Sequence, residues 1–202
     1  MCIRDRQGTF TIIDTEEPIS NITLPNLDLD CADNLDAQIN AWNQQNITDL
    51  TNTAFDNCGG VTVTSDLNTD NLANGCSPGT GSVTVTYTIS DACENQITRT
   101  ATLTIDDTTP PVLTCDGISL TVGCADDLSN VPQPTATDAC TPDNEVVITF
   151  EDDRSNLDDC GDQGFIIRTY TAMDLCGNTS TCEQIITLRL SLIHISEPTR
   201  PY

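Results

Sequence analysis

Thr102-Leu-Thr-Ile-Asp-Asp-Thr-Thr-Pro-Pro-Val-Leu-Thr114 decides how the rest of the chain is read. Residues 102–105 alternate polar and apolar, as a strand does when its two faces meet different surroundings. Asp106 and Asp107 break the alternation, and Pro110-Pro111 bars both helix and central-sheet pairing before a second apolar run opens at Val112. One β-domain hands over to the next in this way. The same device occurs earlier as Phe10-Thr-Ile-Ile-Asp-Thr-Glu-Glu-Pro18, with Asp14 and Asp107 separated by 93 positions (107 − 14). The chain reads as a slice through a tandem array.

On this reading residues 7–13 are the last strand of a truncated preceding repeat, 14–105 a first repeat and 106–190 a second. In the first, Ile19–Leu24 is expected as a strand, followed by an alternating run that ends at Cys31. Leu35, Ile39 and Trp42 then recur at i, i+4, i+7 within Asn34–Gln45, which predicts a short amphipathic helix over one end of the sheet. Trp42 is expected as a buried staple of that helix, the rival role being a sugar-stacking platform. Val61–Thr64, Ser82–Ile89 and Ile97–Ile105 alternate strictly, as half-buried strands do.

The second repeat keeps the order. Cys124-Ala-Asp matches Cys31-Ala-Asp, Thr135-Ala-Thr-Asp-Ala-Cys140 matches Thr53-Ala-Phe-Asp-Asn-Cys58, and Tyr170-Thr-Ala-Met-Asp-Leu-Cys-Gly-Asn178 matches Tyr87-Thr-Ile-Ser-Asp-Ala-Cys-Glu-Asn95. The offset is 93 at the first cysteine (124 − 31) and 83 at the tyrosine (170 − 87), so the segment missing from repeat two is the helix. A loop carrying Pro132 and Pro134 is expected in its place. Glu94 against Gly177 predicts a different turn geometry there. Many short strands at this spacing, without βα alternation, give the fold class: all-β, two tandem antiparallel β-sandwiches with a short helix in the first.

The 202 residues carry 31 acidic side chains against 7 basic ones and a net charge of −24, which makes nucleic acid and anionic membrane poor partners. Divalent cations and basic ligands are favoured instead. Eleven cysteines without a Cys-x-x-Cys pair point to disulfides in an oxidising compartment rather than to zinc or free thiolates. Aromatics are only 4% of residues, so the cores rest on Val, Ile, Leu and Thr and gain from covalent staples. Met1–Arg6 and Ser191–Tyr202 lack the Thr/Asp-rich alternation and resemble translated sequencing-adapter read-through. Setting them aside discards Cys2 and leaves ten cysteines.

Four cysteines occupy equivalent places: Cys31, Cys58, Cys76 and Cys93 in repeat one, Cys124, Cys140, Cys160 and Cys176 in repeat two. Cys115 and Cys182 have no counterparts, since Ile22 and Arg99 stand there, so they are expected to pair. First and last strands both run away from the N-terminal pole of such a sandwich and would place them side by side. Following the strands down and up puts Cys58 and Cys93 at that pole and Cys31 and Cys76 at the other. The expected bridges are therefore Cys58–Cys93, Cys31–Cys76, Cys140–Cys176 and Cys124–Cys160, each stabilising by roughly 3–4 kcal/mol.

Thr169-Tyr-Thr-Ala-Met-Asp-Leu-Cys-Gly-Asn-Thr-Ser-Thr-Cys182, preceded by Asp107-Thr-Thr-Pro-Pro111, resembles the hyalin-repeat-like (HYR-like) immunoglobulin-like modules of Bacteroidetes secreted and surface proteins, gliding-motility adhesins among them. The resemblance covers nearly all of residues 7–190 and recurs in both repeats. It implies an immunoglobulin-like sandwich used as a spacer or adhesive unit at the cell surface, anchored by other parts of a longer polypeptide. The implied partners are neighbouring repeats and a surface glycan or protein ligand, with no direct membrane insertion. The alternative is a carbohydrate-binding accessory module of a secreted glycan-degrading enzyme.

Strand order also gathers acids. Asp106, Asp107, Asp138, Asp174 and Asn178 converge on the N-terminal pole of repeat two, with Asp14, Asp56, Asp91 and Asn95 as the equivalent set one repeat earlier. Calcium takes six to eight oxygen ligands from flexible loops, and these residues form a candidate Ca²⁺ site. The competing role is structural, because Asp before Cys caps its own turn. Catalysis is not expected. His194, the single histidine, lies in the excluded tail and there is no lysine, so a nucleophile lacks an ordinary partner base.

Overall fold

Val85, Tyr87 and Ile89 point inward from one strand, and Ala101, Leu103 and Ile105 from the next. That alternation, set by the two-residue period of an extended chain, builds the first core. The computed structural model describes residues 14–57, 59–115, 120–123, 128, 131–158 and 163–189. The expectations for residues 7–13, both tails, Cys2, Cys58, Cys124 and Cys160 lie outside the described residues. Two compact units result: the chain up to Gly75 with Gly79–Asp106, and Cys76–Pro78 with the chain from Asp107 onward.

The first unit contains β1 (Leu27–Asp30), α1 (Leu35–Thr53), β2 (Thr62–Ser65), β3 (Ala73–Asn74), β4 (Gly81–Ser90) and β5 (Gln96–Asp106). Its sheet runs β1-β5-β4-β2, with β3 also paired to β4. The β4–β5 hairpin is antiparallel from Gly81↔Ile105 to Ser90↔Gln96. β1 joins β5 in parallel, Leu27 opposite Leu103 and Asp30 opposite Asp106. The expected strand Ile19–Leu24 is reduced to a single bridge, Ile19↔Phe55.

The helix is longer than its apolar spacing predicts, 19 residues ending at Thr53. Asn46 hid the continuation, being polar at a position that is fully buried. Its Nδ2 donates to the Tyr87 hydroxyl at 3.0 Å, so a polar side chain occupies a core site with a partner. Leu50 extends the same face. Thr48, Thr51 and Thr53 return their hydroxyls to carbonyls four residues back at 2.6–2.7 Å, so each hydroxyl is satisfied within the helix. Trp42 is buried, donates from Nε1 to Pro25 O at 2.8 Å and meets Tyr87 edge-on, so it serves as the staple.

The second unit contains β6 (Val112–Thr114), β7 (Leu120–Gly123), β8 (Thr135–Thr137), β9 (Val147–Asp153), β10 (Gly164–Met173) and β11 (Thr179–Arg189). A four-stranded sheet, β7-β11-β10-β9, accompanies a two-stranded one, β6-β8. β7 pairs in parallel with β11, Leu120 opposite Ile186 and Gly123 opposite Arg189. This repeats the β1–β5 register at offsets of 93 (120 − 27) and 83 (186 − 103). Among the described residues the architecture is all-β with one α-helix, and the correction to an antiparallel sandwich is this parallel pair in each repeat. In place of the helix, Val131 enters the second core and Pro132 O accepts the Tyr170 hydroxyl at 3.4 Å. Gln184, fully buried, accepts the same hydroxyl at 2.9 Å.

Candidate functional site: acidic poles and cystines

Each repeat closes its last hairpin with an Asp-x-Cys-x-Asn turn. Asp91 Oδ1 accepts the backbone N–H groups of Cys93 and Asn95 at 2.8 and 2.9 Å, while Oδ2 accepts Asn95 Nδ2 at 2.7 Å. Asp174 does the same for Cys176 and Asn178 at 2.8 Å each, with Asn178 Nδ2 at 2.9 Å. Burial pushes the Asp91 carboxyl up, but the Asn95 amide and the backbone N–H groups of Asn95, Cys93 and Glu94 outweigh it and hold the group below its ordinary range. Glu94 and Gly177 both sit at positive φ, 72° and 86°. The expected difference in turn geometry is therefore corrected: the hydrogen bonds force the same left-handed residue in both, although only Gly177 adopts it without steric cost.

The two asparagines also tie each repeat to its own first residue. Asn95 Nδ2 donates to Asp14 O at 3.3 Å, and Asn178 Nδ2 to Asp107 O at 3.0 Å. Carboxylates gather around these ties. Asp14, Asp56 and Asp91 bring ligand atoms within 4.8 Å of one another, and so do the sets Asp107, Asp174, Cys176 and Asp107, Asp138, Cys140. Asp107 is the centre of the second pole. Cys176 sits in a disulfide and Cys140 is likewise oxidised, so the donors available there are carboxylate oxygens.

These donors suit a hard cation. Asp138 Oδ1 accepts the N–H groups of Cys140 and Thr141 at 2.8 and 2.7 Å, while its Oδ2 is buried without a hydrogen-bond partner among the described residues. Two members of the expected set are corrected. Asp106 is the last residue of β5 and exposed, because alternation turns neighbouring side chains to opposite sides. Asn178 faces the acids with its amide nitrogen, a donor and not a ligand.

The cystines depart from the expected pairing. Cys76 is bonded to Cys176, with Cα atoms 5.0 Å apart and a sequence separation of 100, which rules out Cys31–Cys76 and Cys140–Cys176. The cause is the short segment Cys76–Pro78, which belongs to the second unit. There Ser77 Oγ donates to Cys140 O at 2.7 Å and lies 3.4 Å from Thr141 Oγ1. Thr141 Oγ1 in turn accepts Leu175 N at 3.3 Å, joining the segment to the Cys176 turn. Sequence reading missed Ser77 and Thr141, which carry no periodic signal. Cys31 and Cys140 are each disulfide-bonded. Cys93 is an exposed free thiol, contrary to the Cys58–Cys93 bridge. Cys115 and Cys182 are joined, with Cα atoms 6.1 Å apart.

No helix among the described residues is long and apolar enough to cross a membrane. No family model matches the chain. No curated protein matches it either. Among solved structures it is similar to Drosophila N-cadherin EC1-4, at 10% identity and a TM-score of 0.37 over 86% of this chain and 50% of that one. It is also similar to protocadherin gamma C5 EC1-3, at 15% and 0.33 over 85% and 68%, and to mouse cadherin-23 EC22-24, at 16% and 0.31 over 68% and 57%. The chain thus spans half the length of the N-cadherin fragment it matches. Likeness at these values carries no argument about function.

Proposed function

We propose that this chain is a non-catalytic, load-bearing pair of repeats in the stalk of a larger exported surface protein. The supporting observation is the parallel pairing of each repeat's early strand with its last, β1 with β5 and β7 with β11. In the reduced chain, tension applied through the chain ends pulls β1 backward and β5 forward along a shared ladder; with Cys76–Cys176 closed, β5 lies inside that loop and the cystine carries the load past it. All the hydrogen bonds of a ladder under tension are loaded together in shear, whereas a peeled ladder fails one bond at a time. In repeat two Cys115–Cys182 likewise carries tension past β7, which lies inside its loop. Asp106 and Asp107, the last residue of one unit and the first of the next, are consecutive, and the main-chain oxygens of both accept hydrogen bonds, from Cys31 N at 2.8 Å and Asn178 Nδ2 at 3.0 Å.

The motif resemblance supports reading the parent protein as a HYR-like surface adhesin of the Bacteroidetes type. Cystines suit an extracellular site. Calcium at Asp107, Asp138 and Asp174, and at Asp14, Asp56 and Asp91, would neutralise crowded carboxylates and stiffen each pole. A carbohydrate-binding accessory role finds no aromatic platform in Trp42, Tyr87 or Tyr170, all of which are buried.

Single-molecule pulling tests the reading. In the reduced chain, force applied through the chain ends should unfold repeat one at several times the force needed when handles at Asn26 and Thr102 peel β1 from β5. Equal forces in the two geometries would remove the load-bearing role.

A further inference from the structure

Cys93 stands out as an exposed free thiol in a structure whose other described cysteines are all in disulfides. Its counterpart is Cys176, 83 positions on (176 − 93). The two turns hold their cysteines alike: Asp91 and Asp174 cap Cys93 and Cys176 at the same 2.8 Å, and a left-handed residue follows each. Cys176 is bonded to Cys76. In sequence Cys76 belongs to the repeat before the one that contains Cys176, and the Cys76-Ser-Pro78 segment is part of the second compact unit.

We infer that Cys93 is the half-cystine for a preceding copy of the repeat, whose Cys76-like loop bonds to it as Cys76 bonds to Cys176. Two thiols, Cys93 and that of the incoming loop, lose two protons and two electrons to a disulfide oxidant, which is reduced to two thiols. One S–S bond forms and one breaks. The partner is therefore a second copy of this module presenting a Cys-Ser-Pro loop. The consequence is a covalent staple at successive joints of the array.

The inference rests on reading the chain as a piece of an array, and its test supplies the missing neighbour so that the two fail separately. An additional repeat one, Asp14–Asp106, is placed directly before Asp14 of the full chain, oxidised with glutathione disulfide and mapped by non-reducing mass spectrometry. The expected peptide joins Cys76 of the added repeat to Cys93 of the next, and maleimide labelling of that Cys93 falls from one per chain to none. Cys93→Ser in the same protein should leave the added Cys76 reactive while Cys76–Cys176 downstream persists. In the unaltered chain Cys93 should label without reduction. A Cys58–Cys93 peptide in either protein, or a Cys93 that stays reactive behind the added repeat, would overturn the inference.

Discussion

The side-chain amide of Asn46 donates to the hydroxyl of Tyr87 at 3.0 Å, with both residues fully buried. This contact joins the helix to the sheet through two polar groups, and Asn46 Oδ1 has no hydrogen-bond partner among the described residues. Asn46→Ala opens a cavity and strands the hydroxyl, so it should destabilise by about 3 kcal/mol. Replacing both members, Asn46→Leu with Tyr87→Phe, should cost under about 1 kcal/mol because no orphan remains. Urea unfolding of the three proteins measures the difference.

Arg168 is buried against Asp152, with Nε to Oδ1 at 2.6 Å and Nη2 to Oδ2 at 3.0 Å, and its guanidinium lies 4.0 Å from the centre of the Phe150 ring. The guanidinium holds the Asp152 carboxyl below its ordinary range, and the Asp152 carboxylate in turn raises Arg168. Because the folded value is depressed, the unfolded chain takes up the proton first. The stabilisation is complete above the unfolded value of about 4 and is lost as pH falls through the folded one. Asp152→Asn should cost about 3 kcal/mol at neutral pH and flatten the acid limb of the stability profile of repeat two.

Glu94 occupies a left-handed position that Gly177 fills in the other repeat. Removing the Cβ relieves the strain while the Asp91 cap stays, so Glu94→Gly should raise the stability of repeat one by roughly 1 kcal/mol. An unchanged or lower melting temperature would count against the shared turn geometry.

Calcium should raise the melting temperature of both repeats in proportion to the logarithm of its concentration, reaching about 2.7 kcal/mol at a hundredfold excess over Kd. Asp138→Asn removes the charge of the carboxylate whose Oδ2 lacks a hydrogen-bond partner among the described residues, and should abolish the gain in repeat two alone. Calorimetric titration of wild type and variant at millimolar Ca²⁺ checks this; a flat wild-type response ends the metal assignment.

The sandwich strands were legible because their burial follows residue parity, as Val85, Tyr87, Ile89 and Ala101, Leu103, Ile105 show. The closeness of Asp14, Asp56 and Asp91, and of Asp107 to Asp138 and to Asp174, was legible because a repeat returns the same residues to equivalent places. The second half of the helix was not, since Asn46 breaks the apolar stripe at the one place where a buried hydroxyl needs a donor. Nor was the Cys76–Cys176 bond. Two repeats with matching cysteine sets look self-sufficient, and nothing local to Cys76-Ser-Pro78 signals that the segment packs with residues a hundred positions away.

Stretching the full chain by its ends under oxidising and then reducing conditions tests the account most directly. With Cys76–Cys176 intact, a loop with a sequence separation of 100 residues cannot extend. Reduction should therefore lengthen the total unfolding extension by roughly 340 Å or more, at about 3.4 Å per residue, and, by putting β5 on the tension path, bring out the high-force event of a sheared β1–β5 ladder. Identical extensions in the two conditions, or unfolding at the low force of a peeled ladder after reduction, would contradict a stalk held by shear-loaded strands and cystines.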